Sequence, residues 1–87
     1  MSATVHVTVR YFASIREAIG HGSETLDTTA HTLAELRDTL IARGAPCADV
    51  LAKGRAVRMA LNQTVCEESA PLKSGDEVAF FPPVTGG

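Results

Sequence analysis

The last six residues, Pro82-Pro83-Val84-Thr85-Gly86-Gly87, carry the one group with an unusual chemical presentation, the carboxylate of Gly87. A carboxylate is inert until one of its oxygens becomes a good leaving group, as in an acyl-adenylate. Making that mixed anhydride takes a partner enzyme and ATP, which would make this chain a substrate rather than a catalyst. The surrounding residue types suit delivery. Pro82 and Pro83 have a fixed φ and no N–H, so they end strand pairing and favour an extended, polyproline-like path away from the body. Six residues at about 3.3 Å each reach up to about 20 Å. Gly86 and Gly87 have no Cβ and fit a channel that would reject one.

The other reactive side chains form no catalytic constellation. Gly20-His21-Gly22 lacks the third glycine of a phosphate-binding loop, and no serine sits in a nucleophile elbow. His6, His21 and His31 have no ligand spacing to each other or to Cys47 and Cys66, so no metal and no bound cofactor is expected. The two cysteines read as reduced thiols filling apolar positions. Glu67-Glu68 and Asp76-Glu77 lie in or beside turns and read as solvated pairs.

Positioning a reactive tail needs a folded body. The chain has 87 residues, 45% of them hydrophobic and 21% charged, which suits one small domain over residues 1–81 with a tail over 82–87. A net charge of −2 without a Lys/Arg cluster excludes a nucleic-acid or anionic-membrane footprint. The apolar runs are far shorter than a bilayer span of about 20 residues. Met1-Ser2-Ala3-Thr4-Val5-His6 has no basic-then-apolar leader pattern, so a cytoplasmic chain is expected.

Residues 4–11 alternate, with Val5, Val7, Val9 and Tyr11 on one face, which predicts a half-buried strand. Ser14-Ile15-Arg16-Glu17 has the form of a capping box and predicts a helix of about two turns that Gly20 stops. A strand over 24–28 follows. Thr32-Leu33-Ala34-Glu35 is a second capping box. It opens the strongest helix, with Leu33, Leu36, Leu40 and Ile41 as its stripe and Gly44 as its stop. Residues 47–53 predict one more helical turn, and residues 56–61 a strand with Val57, Met59 and Leu61 inward. Asn62-Gln63 predicts a turn into a short strand at 64–66, and residues 76–81 are the last strand. One amphipathic helix covers one face of a small mixed sheet. The order therefore predicts an α+β, ubiquitin-like β-grasp fold of about five strands, in which the first and last can lie side by side.

Two positions break these local rules. Phe12 continues the register of His6, Thr8 and Arg10, which puts an aromatic on the polar face. Phe80 and Phe81 are consecutive, so a strand must send them to opposite faces. Val78 and Phe80 pair inward, which sends Phe81 outward, and Val65 is placed to join it. Clustered apolar groups on an exposed face mark an interaction surface.

Tyr11-Phe12-Ala13 with Arg16-Glu17, Asn62-Gln63-Thr64 and the block from Gly75 to Gly87 resemble the small-subunit, sulfur-carrier family of molybdopterin synthase. The resemblance implies that Gly87, behind Gly86, is adenylated by an E1-like enzyme that consumes ATP. A sulfur donor then converts the acyl-adenylate to a thiocarboxylate. It further implies that Pro82, Pro83, Val84 and Thr85 thread into the large subunit, where sulfur passes to cyclic pyranopterin monophosphate to build the dithiolene of molybdopterin. Two small and two large subunits make up the family's assembly. By the same resemblance Phe12, Val65 and Phe81 form the docking surface, and Arg16 is either a rim contact or a solvated helix residue. Alternatives are a thiamine-pathway sulfur carrier, a ubiquitin-like modifier joined to lysines through Gly87, or a plain interaction domain.

Overall fold

A computed structural model describes residues 4–52 and 54–83. The elements run β1 (Val5–Tyr11), α1 (Ala13–Ile19), β2 (Ser23–Thr28), α2 (Leu33–Ile41), α3 (Cys47–Val50), β3 (Arg58–Leu61), β4 (Thr64–Cys66) and β5 (Glu77–Phe81). They form one mixed sheet in the order β2-β1-β5-β3-β4. The first and last strands are neighbours near its centre and run parallel, Val9 opposite Val78 and Tyr11 opposite Phe80. Every other pairing is antiparallel.

The alternation of β1 places Val7, Val9 and Tyr11 in the core, where they meet Val78 and Phe80 of β5 and Met59 of β3. Tyr11 stacks on Phe80 with ring centroids 6.2 Å apart. Leu33, Leu36 and Leu40 of α2 close this face, all three fully buried. Each such leucine contributes about 1.5–3 kcal/mol of burial. The Thr32 hydroxyl accepts from the Glu35 N–H at 3.2 Å. The Glu35 carboxylate accepts from the N–H of His31, so the capping box closes one residue further upstream than its usual form.

The box expected at Ser14 does not form. Helix α1 starts at Ala13, with Phe12 at the N-cap and no side-chain cap. Phe12 is still a ladder residue: its N–H donates to the carbonyl of Phe80, while its own carbonyl accepts from Ile15 and Arg16. Strand thus passes into helix in one residue, and Ala13 takes that corner at φ +51°. A non-glycine residue in this region costs about 1–2 kcal/mol. The larger boundary differences are that α3 stops at Val50 and β3 starts only at Arg58. The cause is a buried arginine that the sequence reading passed over. The Arg37 guanidinium donates to the carbonyls of Leu51, Ala52 and Arg55, which diverts that stretch from both helix and ladder.

Asn62 and Gln63 both have positive φ, as a two-residue type I′ hairpin requires. Three of the four acidic groups expected to be merely solvated are tied in. Glu77 is held by Arg10. Asp76 accepts from the Lys73 N–H and the Asn62 amide, and Glu68 lies 3.4 Å from Arg37. Cys47 is buried, Cys66 is half-buried, and the two are not bridged.

Candidate functional site: an apolar face beside the C-terminal stem

Because strand side chains alternate, the helix-covered face of the sheet dictates what the other face carries. Opposite the core lie Arg10 of β1, Glu77, Ala79 and Phe81 of β5, Arg58 and Ala60 of β3, and Val65 of β4. Phe12 joins them because the corner at Ala13 turns the backbone into α1 immediately after it. Arg10, Phe12, Ala60, Gln63, Val65, Glu77, Ala79 and Phe81 line one hollow of about 430 Å³. Phe12 is 40% exposed and Val65 58%, and among the described residues these are the exposed large apolar side chains. Phe81 is half-buried while Phe80 is fully buried. The register argument therefore holds for both phenylalanines, and the structure brings Phe12, Val65 and Phe81 together.

Small residues make this surface shallow. Ala60 and Ala79 face each other across β3 and β5, and Val65 stands beside Ala60. The Arg10 guanidinium sits 5.4 Å from the centre of the Phe12 ring and 3.8 Å from the Glu77 carboxylate. Stacked this way, Arg10 restrains Phe12 on the open face. Arg16 is not part of the surface. It is exposed and lines a different hollow, with Ala13, Glu17, Gly20 and His21.

The stem leaves from the same strand. Pro82 and Pro83 are half-buried, and Pro82 lines a cavity of about 410 Å³ with Ser14, Ile15, Ala18, Val50, Arg55, Ala56 and Val57. Pro82 thus stays beside α1, and the path expected for the tail beyond Pro83 lies outside the described residues. Val84, Thr85, Gly86 and Gly87 lie outside the described residues.

A polar cluster at the opposite edge escaped the sequence reading. The Tyr11 hydroxyl donates to the Glu24 carboxylate at 2.7 Å, the Arg43 guanidinium donates to it at 2.9 Å, and a His21 ring nitrogen lies 3.3 Å away. Burial pushes the Glu24 carboxyl up, but the hydrogen bonds from Tyr11, His21 and Arg43 outweigh it and hold it below the usual glutamate value. Burial, reinforced by Glu24, pushes the Tyr11 phenol far above its ordinary range. These groups fasten β2 and the end of α2 to β1, a structural role. Burial likewise raises the Cys47 thiol and leaves it a poor nucleophile. Among the described residues no three His, Cys, Asp or Glu side chains gather as a metal site, and no helix is long and apolar enough to cross a membrane.

Comparison with known proteins agrees with this geometry. The model of the ThiS family matches residues 9–87. The molybdopterin synthase sulfur carrier subunit of Haemophilus influenzae is 41% identical over 81 residues, covering 93% of this chain and 99% of that one. Among solved structures, a Haloferax volcanii protein superposes with a TM-score of 0.79 at 28% identity, over 97% of this chain and 88% of that one. Subunits 1 and 2 of molybdopterin-converting factor from Helicobacter pylori have been solved as a complex. A chain of it matches with a TM-score of 0.62 and 32% identity, over 95% of this chain and all of that one. The sheet order, the helix-covered face and these matches together make this a ubiquitin-like β-grasp chain. It belongs to the ThiS family, among the molybdopterin synthase sulfur carrier subunits.

Proposed function

We propose that the chain carries sulfur on Gly87 and delivers it to a pterin inside a large-subunit partner. The Gly87 carboxylate attacks the α-phosphate of ATP on an E1-like enzyme and releases pyrophosphate. A sulfur donor then displaces AMP from the acyl-adenylate and leaves a thiocarboxylate. Docked on the large subunit, the thiocarboxylate sulfur attacks a carbon of cyclic pyranopterin monophosphate and displaces an oxygen substituent. Water then cleaves the acyl–sulfur bond, which leaves the sulfur on the pterin and returns Gly87 to its carboxylate. Two transfers complete the dithiolene, in an assembly of two small and two large subunits.

The observation that carries this reading is the meeting of Phe12, Val65 and Phe81 in one hollow on the strand that leads directly into Pro82 and Pro83. A partner seated on that face stands beside the root of the tail. The solved H. pylori complex of the two converting-factor subunits supports a partner of that kind. The domain extends over residues 1–81, and residues 82–87 are the delivery arm. The curated relatives at about 40% identity favour the pterin over the thiamine pathway. Deletion of Gly87 tests the reading: thermal unfolding stays as in the native chain, while molybdopterin formation with the large subunit is lost. Retained activity would refute it.

A further inference from the structure

The docking face is bracketed by cations in a chain whose net charge is −2. Strand β5 lies between β1 and β3, so Arg10 and Arg58 stand on either side of it. Arg10 is opposite Ala79 and Arg58 is opposite Phe81. Both arginines alternate onto the same face as Ala60 and Ala79. Arg10 lines the hollow of Phe12, Val65 and Phe81, while Arg58, opposite Phe81, stands at its rim and lines the neighbouring hollow with Cys66, Glu67 and Glu68.

Among the described residues Arg10 is only partly satisfied, by the Phe12 ring and a long ion pair, and the Arg58 guanidinium has no anion. The single anion near Arg10 is Glu77, at 3.8 Å, and the Arg10 side chain remains 45% exposed. Arg58 is exposed, and its side chain makes no ion pair or hydrogen bond among the described residues. A guanidinium pressed against an apolar surface without an anion loses its hydration uncompensated, which is strongly unfavourable. A carboxylate opposite it restores two parallel N–H···O bonds and fixes the approach angle.

We propose that Arg10 and Arg58 are specificity-determining residues of the docking face, and that the large subunit presents carboxylates opposite them. The inference rests on the docking reading above and adds the chemistry of the partner's surface. It also gives a division of labour: the apolar centre holds the complex, while the two arginines steer the encounter and reject partners whose matching face is neutral or basic.

The test is binding of the full chain to the purified molybdopterin synthase large subunit of the same organism, by stopped flow and calorimetry over a salt series. The native association rate should fall about tenfold or more between low and high salt. Arg10→Gln and Arg58→Gln should each slow association and flatten that salt dependence, with thermal unfolding unchanged. Arg58→Glu should weaken binding about tenfold or more, and an acidic-to-lysine change on the large subunit should restore it. If native binding ignores salt and Arg58→Glu binds normally while Phe81→Ala does not, the charge inference falls and the docking reading stands. No binding by the native chain overturns both.

Discussion

Phe80 and Phe81 are adjacent, chemically identical, and point to opposite faces of β5, so alanine should separate stability from docking. Phe80 is fully buried and stacked on Tyr11. Removing its ring leaves a cavity among Tyr11, Val78 and Met59, and phenylalanine-to-alanine changes in such sites cost about 3–5 kcal/mol. In a domain of this size each kcal/mol lowers Tm by about 4–8 °C, so Phe80→Ala should melt more than about 12 °C early. Phe81 is half-buried in the shallow hollow with Ala60 and Ala79. Truncating it opens no internal cavity, and the cost should stay below about 1 kcal/mol, as for surface substitutions with little packing to lose. Docking should show the reverse. Phe81→Ala should weaken large-subunit binding by about 1–4 kcal/mol, the range of aromatic interface anchors. Differential scanning calorimetry of both variants, with titration of Phe81→Ala against the large subunit, reads the two quantities independently. Equal destabilisation by the two changes, or native affinity of a folded Phe81→Ala, would refute the two-face argument.

The polar cluster gives a pH prediction. The Glu24 carboxyl is held low in the folded chain, so its contribution is full above the unfolded glutamate value of about 4.3 and is lost as pH falls through the folded value. Glu24→Gln should therefore cost about 1–3 kcal/mol at neutral pH and reduce the loss of stability in acid, as denaturant unfolding at several pH values would show. An unchanged acid limb would contradict the assignment. Arg37→Met should cost about 1–3 kcal/mol, because the carbonyls of Leu51, Ala52 and Arg55 lose their donor, and amide exchange should rise across that loop. Normal protection there would refute the tether. Gly86→Val and Gly87→Val should lower adenylation by orders of magnitude, measured by ATP–pyrophosphate exchange, while leaving large-subunit binding intact; normal rates would make the glycines incidental.

The sequence was most legible where one face of an element is buried and spacing must encode it. Strand β1, the leucine stripe of α2 and the Thr32 cap all follow from residues within one or two turns of each other. The residues of the open apolar face were legible for the opposite reason: Phe12 and Phe81 violate the pattern their neighbours set. The failures are all long-range. Ser14 does not cap because Phe12 is held by Phe80, a partner distant in sequence. The one local signal for Arg37 was its place four residues after Leu33, on the apolar stripe; the carbonyls that receive it come from a distant loop. The Glu24 cluster exists only once β1, β2 and the end of α2 have met. The strand order that places β5 between two arginines was equally invisible before the fold was known.

The central claim is that Gly87 becomes a thiocarboxylate. Intact-mass spectrometry of the chain recovered from its own host tests it most directly, with a second run after alkylation of nucleophilic sulfur. The account predicts a population heavier than the encoded chain by the difference between one sulfur and one oxygen atom. That increment should map to the peptide ending in Gly87 and be alkylated there. A chain that carries only the plain carboxylate while its host is making molybdopterin, even when the large subunit is removed so that loaded carrier accumulates, would contradict it.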